Sequence, residues 1–261
     1  MALKIYQIDA FATKNFEGNP AAVVPLDHWI SDKVMQKISE ENNLSETAFF
    51  IRDKDDYHIR WFTPKKEVDL CGHATLASAF VIFKILKVET KEIRFKSLSG
   101  TLFVKRIGDL LTLNFPSQEP QKCRTPKILI DALGVKPENC FFGQDYMAIY
   151  NNEDQVYKIS PDFGKLNRLD LRGVIVTAPG KNYDFVSRAF FPKYGILEDP
   201  VTGSAHTQLV PYWAKKFGKS KLKARQISER GGDLFCDYDG ERVFISGYSK
   251  LYMSGEIDLD I

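Results

Sequence analysis

The hydrophobic pattern changes period several times along this chain, and each change marks an element. Residues 3–11 carry Ile5, Tyr6, Ile8 and Phe11 in the loose alternation of a strand. Asn15 to Pro20 is rich in Gly, Asn and Pro and reads as a turn, and Ala21–Val24 as a second short strand. Val34, Met35 and Ile38 then fall at helical spacing behind Ser31, a good N-cap, so a helix is predicted to about Glu41. Ser45–Ile51 and His58–Phe62 return to β-branched and aromatic residues. From Ala74 to Leu86 the chain is apolar nearly all round, the mark of a helix buried on every side. Short strands follow at Ile93–Phe95, Leu102–Val104 and Leu110–Phe115, and Pro116–Pro120 reads as a linker.

Beyond the linker the pattern repeats. A helix is predicted near Pro126–Leu133. Strands are predicted near Phe141–Tyr150, Gly173–Thr177 and Arg188–Phe191, and closing strands near Leu234–Tyr238, Arg242–Gly247 and Lys250–Glu256. The repetition extends to single residues. Trp61-Phe62-Thr63-Pro64 followed by Cys71-Gly72-His73-Ala74 is answered half a chain later by Ala189-Phe190-Phe191-Pro192 and Thr202-Gly203-Ser204-Ala205. Ser97–Gly100 is answered by Ser228–Gly231, with Gly232 as one extra residue. That step is too long for a solenoid repeat of about 20–50 residues. It predicts an α+β protein of two duplicated barrel-like domains, residues 1–116 and 121–261, each a curved sheet around a central buried helix. Paired domains tend to hold small-molecule sites between them, so a cleft is the expected place for chemistry.

Composition narrows the partners. Hydrophobic residues make up 44% of the chain, ample for two cores, and 36 basic against 34 acidic residues leave a net charge of +2. No large field therefore draws the protein to nucleic acid or to anionic membrane. The run Lys215, Lys216, Lys219, Lys221, Lys223 and Arg225 is the local exception, and without interleaved aromatics it reads as a solvated helix end and loop. The N-terminal segment lacks the apolar core of a signal peptide, and Ala74–Phe83 is too short to span a bilayer, so a cytoplasmic protein is expected. Four scattered cysteines form no zinc-ligand spacing, so free thiols and no metal are expected.

Four motifs carry candidate chemistry: Phe16–Val24, Asn43–Phe49, Phe62–Leu76 and Glu198–Ala205. Glu46 sits in an apolar strand. It is either an outward edge residue or a carboxyl facing inward with Ala48 and Phe50, paired or kept protonated. Gly72-His73 and Gly203-Ser204 each open an apolar helix, where unpaired N–H groups and the helix dipole suit a carboxylate. Either glycine could instead only permit a tight turn; its recurrence beside a polar residue favours function. His73 suits proton transfer, or is a satisfied core histidine. Asp199, just before Pro200, is a candidate acid or a helix cap. Cys71 raises a two-thiol racemase, but its counterpart in the repeat is Thr202, so a small buried residue is the better reading. No dinucleotide or phosphate-loop motif is present.

Together the four motifs resemble the PhzF family of phenazine biosynthesis, whose fold is similar to diaminopimelate epimerase. The resemblance runs from Ile5 to the C-terminal strands. It implies a cofactor-independent, homodimeric isomerase that shifts a proton on a small anionic metabolite. It places the catalytic residues at Glu46, His73 and Asp199, and substrate binding at Asn19, Gly72, Gly203 and Ser204. A thiol-dependent epimerase and a non-catalytic binding protein for small acids are the rivals.

Overall fold

The computed structural model describes residues 2–259, and the chain divides into two compact units. One runs to Asn114 and resumes at Ser246; the other is Phe115–Ile245. The first opens with β1 (Ala2–Ala10), β2 (Asn19–Leu26), α1 (Asp32–Asn42), β3 (Glu46–Asp53), β4 (Asp56–Phe62) and β5 (Glu67–Val68). It continues with α2 (Gly72–Phe80), β6 (Glu92–Ser97), β7 (Gly100–Ile107) and β8 (Leu110–Pro116). Strand β1 pairs antiparallel with β2, β2 parallel with β3, β3 antiparallel with β4, β4 parallel with β6, and β6 antiparallel with β7.

Two helices cover opposite faces of this sheet. Ser31 caps α1 through the Val34 N–H, as its sequence predicts, and Met35 and Ile38 pack with Ala22, Val24 and Phe49. Helix α2 is buried from His73 to Ala79 and touches β1, β2, β3 and β7. Strand β2 thus has helix on both sides, which explains its unbroken apolar run. The hydroxyls within α2 stay satisfied by bonding back one turn, Thr75 to the Cys71 carbonyl and Ser78 to that of Ala74. The predicted helix to Leu86 is α-helical only to Phe80; a π-turn, Val81–Ile85, completes it.

The second unit holds β9 (Gln121–Cys123), α3 (Lys127–Leu133), β10 (Asn139–Phe142), β11 (Tyr146–Ile149), α4 (Glu153–Lys158) and α5 (Phe163–Leu166). Then come β12 (Val174–Pro179), β13 (Phe185–Phe191), β14 (Ile196–Asp199), α6 (Gly203–Phe217), β15 (Lys221–Gln226), β16 (Gly232–Tyr238) and β17 (Arg242–Gly247). Its ladder repeats the first unit's order. Strand β10 is antiparallel to β11, β11 parallel to β12, β12 antiparallel to β13, β13 parallel to β15, and β15 antiparallel to β16. Helix α6 contains Pro211, which cannot donate to the carbonyl of Thr207; the Gln118 N–H bonds that oxygen instead.

Three expectations need correction. The last strand, β18 (Ser249–Asp258), pairs with β1, so residues 121–261 do not form one continuous domain: the chain end returns to the first unit. The single strand expected over Phe141–Tyr150 is the hairpin β10–β11, turned at Gly143–Asp145. Half of the basic run is strand, not loop: Lys221, Lys223 and Arg225 alternate with inward Leu222, Ala224 and Gln226 on β15. Among the described residues no helix is long and apolar enough to cross a membrane.

Candidate functional site

In the first unit the chemistry gathers where β3 and α2 begin. Glu46 opens β3 beside Ala21 of β2, and its side chain is only 13% exposed, so the inward reading holds and the edge reading fails. His73 is the second residue of α2. Its Nε2 lies 3.2 Å from Glu46 Oε2, and its Nδ1 lies 3.5 Å from Cys71 Sγ. Burial pushes the imidazole down to about 3, so it is neutral across the physiological range. A neutral ring with a carboxyl at one nitrogen and a thiol at the other can pass a proton in either direction. Asn19, fully buried, opens β2 two residues before the partner of Glu46. Gly18 before it stands at φ +74°, and a Cβ there would meet the Ala10 carbonyl oxygen at 2.2 Å, so this turn requires glycine.

The donor atoms of Glu46, Cys71 and His73 all lie within 4.8 Å of one another, a set that could hold a metal ion. The two nitrogens of His73 face different partners, however. A linear relay fits that geometry better than three donors converging on one point. Cys71 therefore does more than fill space: its thiol touches the imidazole.

In the second unit Asp199 ends β14 and is buried. It accepts a 2.5 Å hydrogen bond from the Thr202 hydroxyl. Thr202, not Asp199, occupies the N-cap of α6, and it makes no side-chain cap bond. Gln226 pins the turn: its Nε2 donates to the Asp199 carbonyl at 2.6 Å, and its Oε1 accepts from the Thr202 N–H at 2.9 Å. Ser204 accepts from Arg172 Nη2 at 3.2 Å, and Arg172 grips the fully buried Asp145 through two bonds of 2.9 and 2.5 Å. A Cβ on Gly203 would meet nothing within 4 Å, and its φ is not positive, so the turn itself does not demand glycine. The helix start is left open to close approach. Each unit by itself thus assembles part of the expected residues: Glu46, His73, Asn19 and Gly72 in one, Asp199, Gly203 and Ser204 in the other.

Sequence reasoning missed Arg172 and Asp145, which no local pattern links. It also missed a duplicated clamp. Arg60 on β4 grips Glu67 of β5 through two bonds of 2.7 Å, and Arg188 on β13 grips Glu198 of β14 at 2.7 and 2.8 Å. Each guanidinium lies over a phenylalanine two residues on, Phe62 and Phe190. The repeat itself, Arg-x-Phe with a later glutamate, was the available signal. Such planar forks hold the short strands that lead into α2 and α6.

Known proteins similar to this chain include members of one family and more distant epimerases. The description phenazine biosynthesis-like protein matches residues 8–255. An uncharacterized isomerase of Pseudomonas aeruginosa is 51% identical over 259 residues, 99% of this chain and all of that protein. The crystal structure of a phenazine biosynthesis protein of the PhzF family from Enterococcus faecalis superposes with a TM-score of 0.98 at 48% identity, covering 99% of this chain and all of that one. A hydroxyproline epimerase from Agrobacterium vitis shares the fold at a TM-score of 0.64 with 12% identity, over all of this chain and 93% of that one. The fold is the diaminopimelate epimerase-like one that the motif resemblance implies.

Proposed function

The chain belongs to the phenazine biosynthesis-like protein family and is an isomerase, and from that premise we propose that it shifts a proton between two carbons of a small carboxylate, without a cofactor. The observation that carries this is the buried contact of 3.2 Å between Glu46 and His73. Glu46 accepts a proton from one substrate carbon as a C–H bond breaks and returns it to another as a C–H bond forms. Atoms and electrons balance within the substrate. His73, held neutral with its Nε2 3.2 Å from Glu46 Oε2, stands close enough to assist reprotonation. The uncapped starts of α2 and α6, at Gly72 and Gly203, offer N–H groups to the carboxylate, with Asn19 and Ser204 as further polar contacts. Asp199, fixed by Thr202 and Gln226, holds a substrate amine or hydroxyl. The sequence expectation that both halves serve one substrate is tested by the Glu46→Gln, Asp199→Asn double variant, whose losses should not add if the two residues act as a unit.

The decisive experiment is solvent exchange. A thermal-shift screen selects small carboxylates; a ligand at 100 times its Kd stabilises by about 2.7 kcal/mol. Each hit is then incubated with enzyme in D₂O and followed by proton NMR. Carbon-bound deuterium or an isomer is the expected result. Binding without exchange across the panel would make the protein a small-acid binder and end the catalytic reading.

One observation favours a second reading. The Cys71 thiol touches His73, so a thiol-dependent epimerisation has one of its two groups in place. Its symmetric position holds Thr202, already bonded to Asp199. Cys71→Ser separates the readings: retained exchange supports Glu46 as the acid–base group, and lost exchange with intact fold supports the thiol.

We also propose a cytoplasmic location and a homodimer. Four free cysteines support a reducing, cytoplasmic setting. A homodimer is supported by β18, where Leu251, Tyr252 and Met253 are exposed; Lys250 and Glu256 stand equally far from Met253, so two antiparallel copies would match opposite charges. A monomer by analytical ultracentrifugation would exclude it.

A further inference from the structure

Cys123 closes β9, a three-residue strand, and stands directly opposite Cys140 of β10 in an antiparallel ladder. Residues opposed in that way hold their Cα atoms about 4.5–5.5 Å apart. A disulfide spans Cα separations of about 4.4–6.8 Å. The register therefore puts the two Cα atoms within the span that a disulfide needs. Their surroundings differ usefully. Cys123 is half-buried, and Cys140 is buried. Burial pushes the Cys140 thiol up to about 12, with Cys123 as the next contributor, so the two groups are close enough to perturb each other. Both line a pocket of about 640 Å³ whose rim carries Lys122, Arg124, Lys127 and Lys136 against Glu138. Cys71 instead faces an imidazole, and Cys236 faces Leu222 across its ladder.

We propose that Cys123 and Cys140 form an oxidisable dithiol, a modification site that closes to a disulfide when the protein meets hydrogen peroxide. The accessible Cys123 sulfur attacks one peroxide oxygen. The O–O bond breaks, Cys123 becomes a sulfenic acid, and the departing hydroxide leaves as water with the thiol proton. The cationic rim stabilises the charge that develops on that leaving oxygen. The Cys140 sulfur then attacks the Cys123 sulfur, the S–O bond breaks, and a second water carries off the Cys140 proton. Two thiols are oxidised and one peroxide is reduced to two waters. The product staples β9 to β10 and with it the chain that follows the Pro116–Pro120 segment. A thiol reductant reverses it.

The test uses the full chain with hydrogen peroxide as probe. After treatment, alkylation under denaturing conditions, and digestion without reductant, the Cys123 and Cys140 peptides should appear as one linked species, with intact mass lower by two hydrogens. Dithiothreitol should restore both as separate alkylated peptides. Cys140→Ser should leave Cys123 as a sulfenic acid captured by dimedone, and Cys123→Ser should leave Cys140 fully alkylated. Circular dichroism before treatment checks that each variant is folded. Linkage through Cys71 or Cys236, free alkylation of both Cys123 and Cys140 after treatment, or no dimedone adduct in Cys140→Ser would overturn the proposal.

Discussion

The starts of α2 and α6 are the two halves of one duplication, and they differ where the chemistry lies. Both follow a short strand clamped by an arginine–glutamate fork, and both begin with glycine under an N-cap residue that makes no side-chain cap bond. At α2 the cap and second residue are Cys71 and His73, and the imidazole meets a carboxyl. At α6 they are Thr202 and Ser204, and both hydroxyls are tied into fixed networks, one through Asp199 and Gln226, the other through Arg172 and Asp145. The histidines differ likewise. His73 faces titratable partners, while His206, one turn into α6, spends its Nδ1 on the Thr202 carbonyl and packs near Phe185. Duplication thus kept the framework and divided the side chains: an imidazole beside a carboxyl at one start, hydroxyls held in fixed networks at the other.

The largest test of that division is Glu46→Gln. It should lower turnover by about 10²–10⁴-fold, the usual contribution of a positioned acid–base group, with little change in circular dichroism. Full turnover would remove the distinction between the two helix starts.

The clamps come next. Arg188 also donates to the carbonyls of Val156, Tyr157 and Ile159 at the end of α4, whereas Arg60 adds the well-exposed Asp32 and the Trp29 ring. Arg188→Ala should therefore cost about 3 kcal/mol in urea unfolding, in the range for breaking a buried pair, and Arg60→Ala clearly less. Equal costs would mean that the extra carbonyl bonds contribute nothing.

The histidines sharpen the comparison through pH. Burial holds His73 at about 3 and His206 at about 4 in the folded chain, against about 6.5 when unfolded. Below 6.5 the unfolded chain binds protons that the folded chain refuses, so stability falls as pH drops toward 4. The slope should approach about 1 kcal/mol per pH unit for each histidine. Urea midpoints from pH 7 to 4.5 should show it, and His206→Asn and His73→Asn should each flatten it; an unchanged slope in both would refute the burial account.

Gly203→Ala is the smallest. Its Cβ meets nothing, so stability should stay level or rise by about 0.4–1 kcal/mol, while binding of small carboxylates should weaken. Unchanged affinity would take the α6 start out of the substrate's reach.

Much of this was determined by sequence alone. Local patterns suffice where an element is specified by its own neighbours. The Ser31 cap and the nearly all-apolar α2 are of that kind, and the repeat exposes both helix starts. The strand through Lys221, Lys223 and Arg225 was legible too, since its alternation is plain once the lysines are read as the outer face rather than as a charge run. Only tertiary structure decided the rest. The return of β18 to β1, the grip of Arg172 on Asp145 and then Ser204, and the placing of Glu46 and Cys71 on either side of the His73 ring all join residues by proximity in space. A sequence records which side chains face a core, because burial imposes a period on it. It does not record which distant polar group completes a buried one, because any strand edge or donor of suitable shape could have done so until the sheets had closed around their helices.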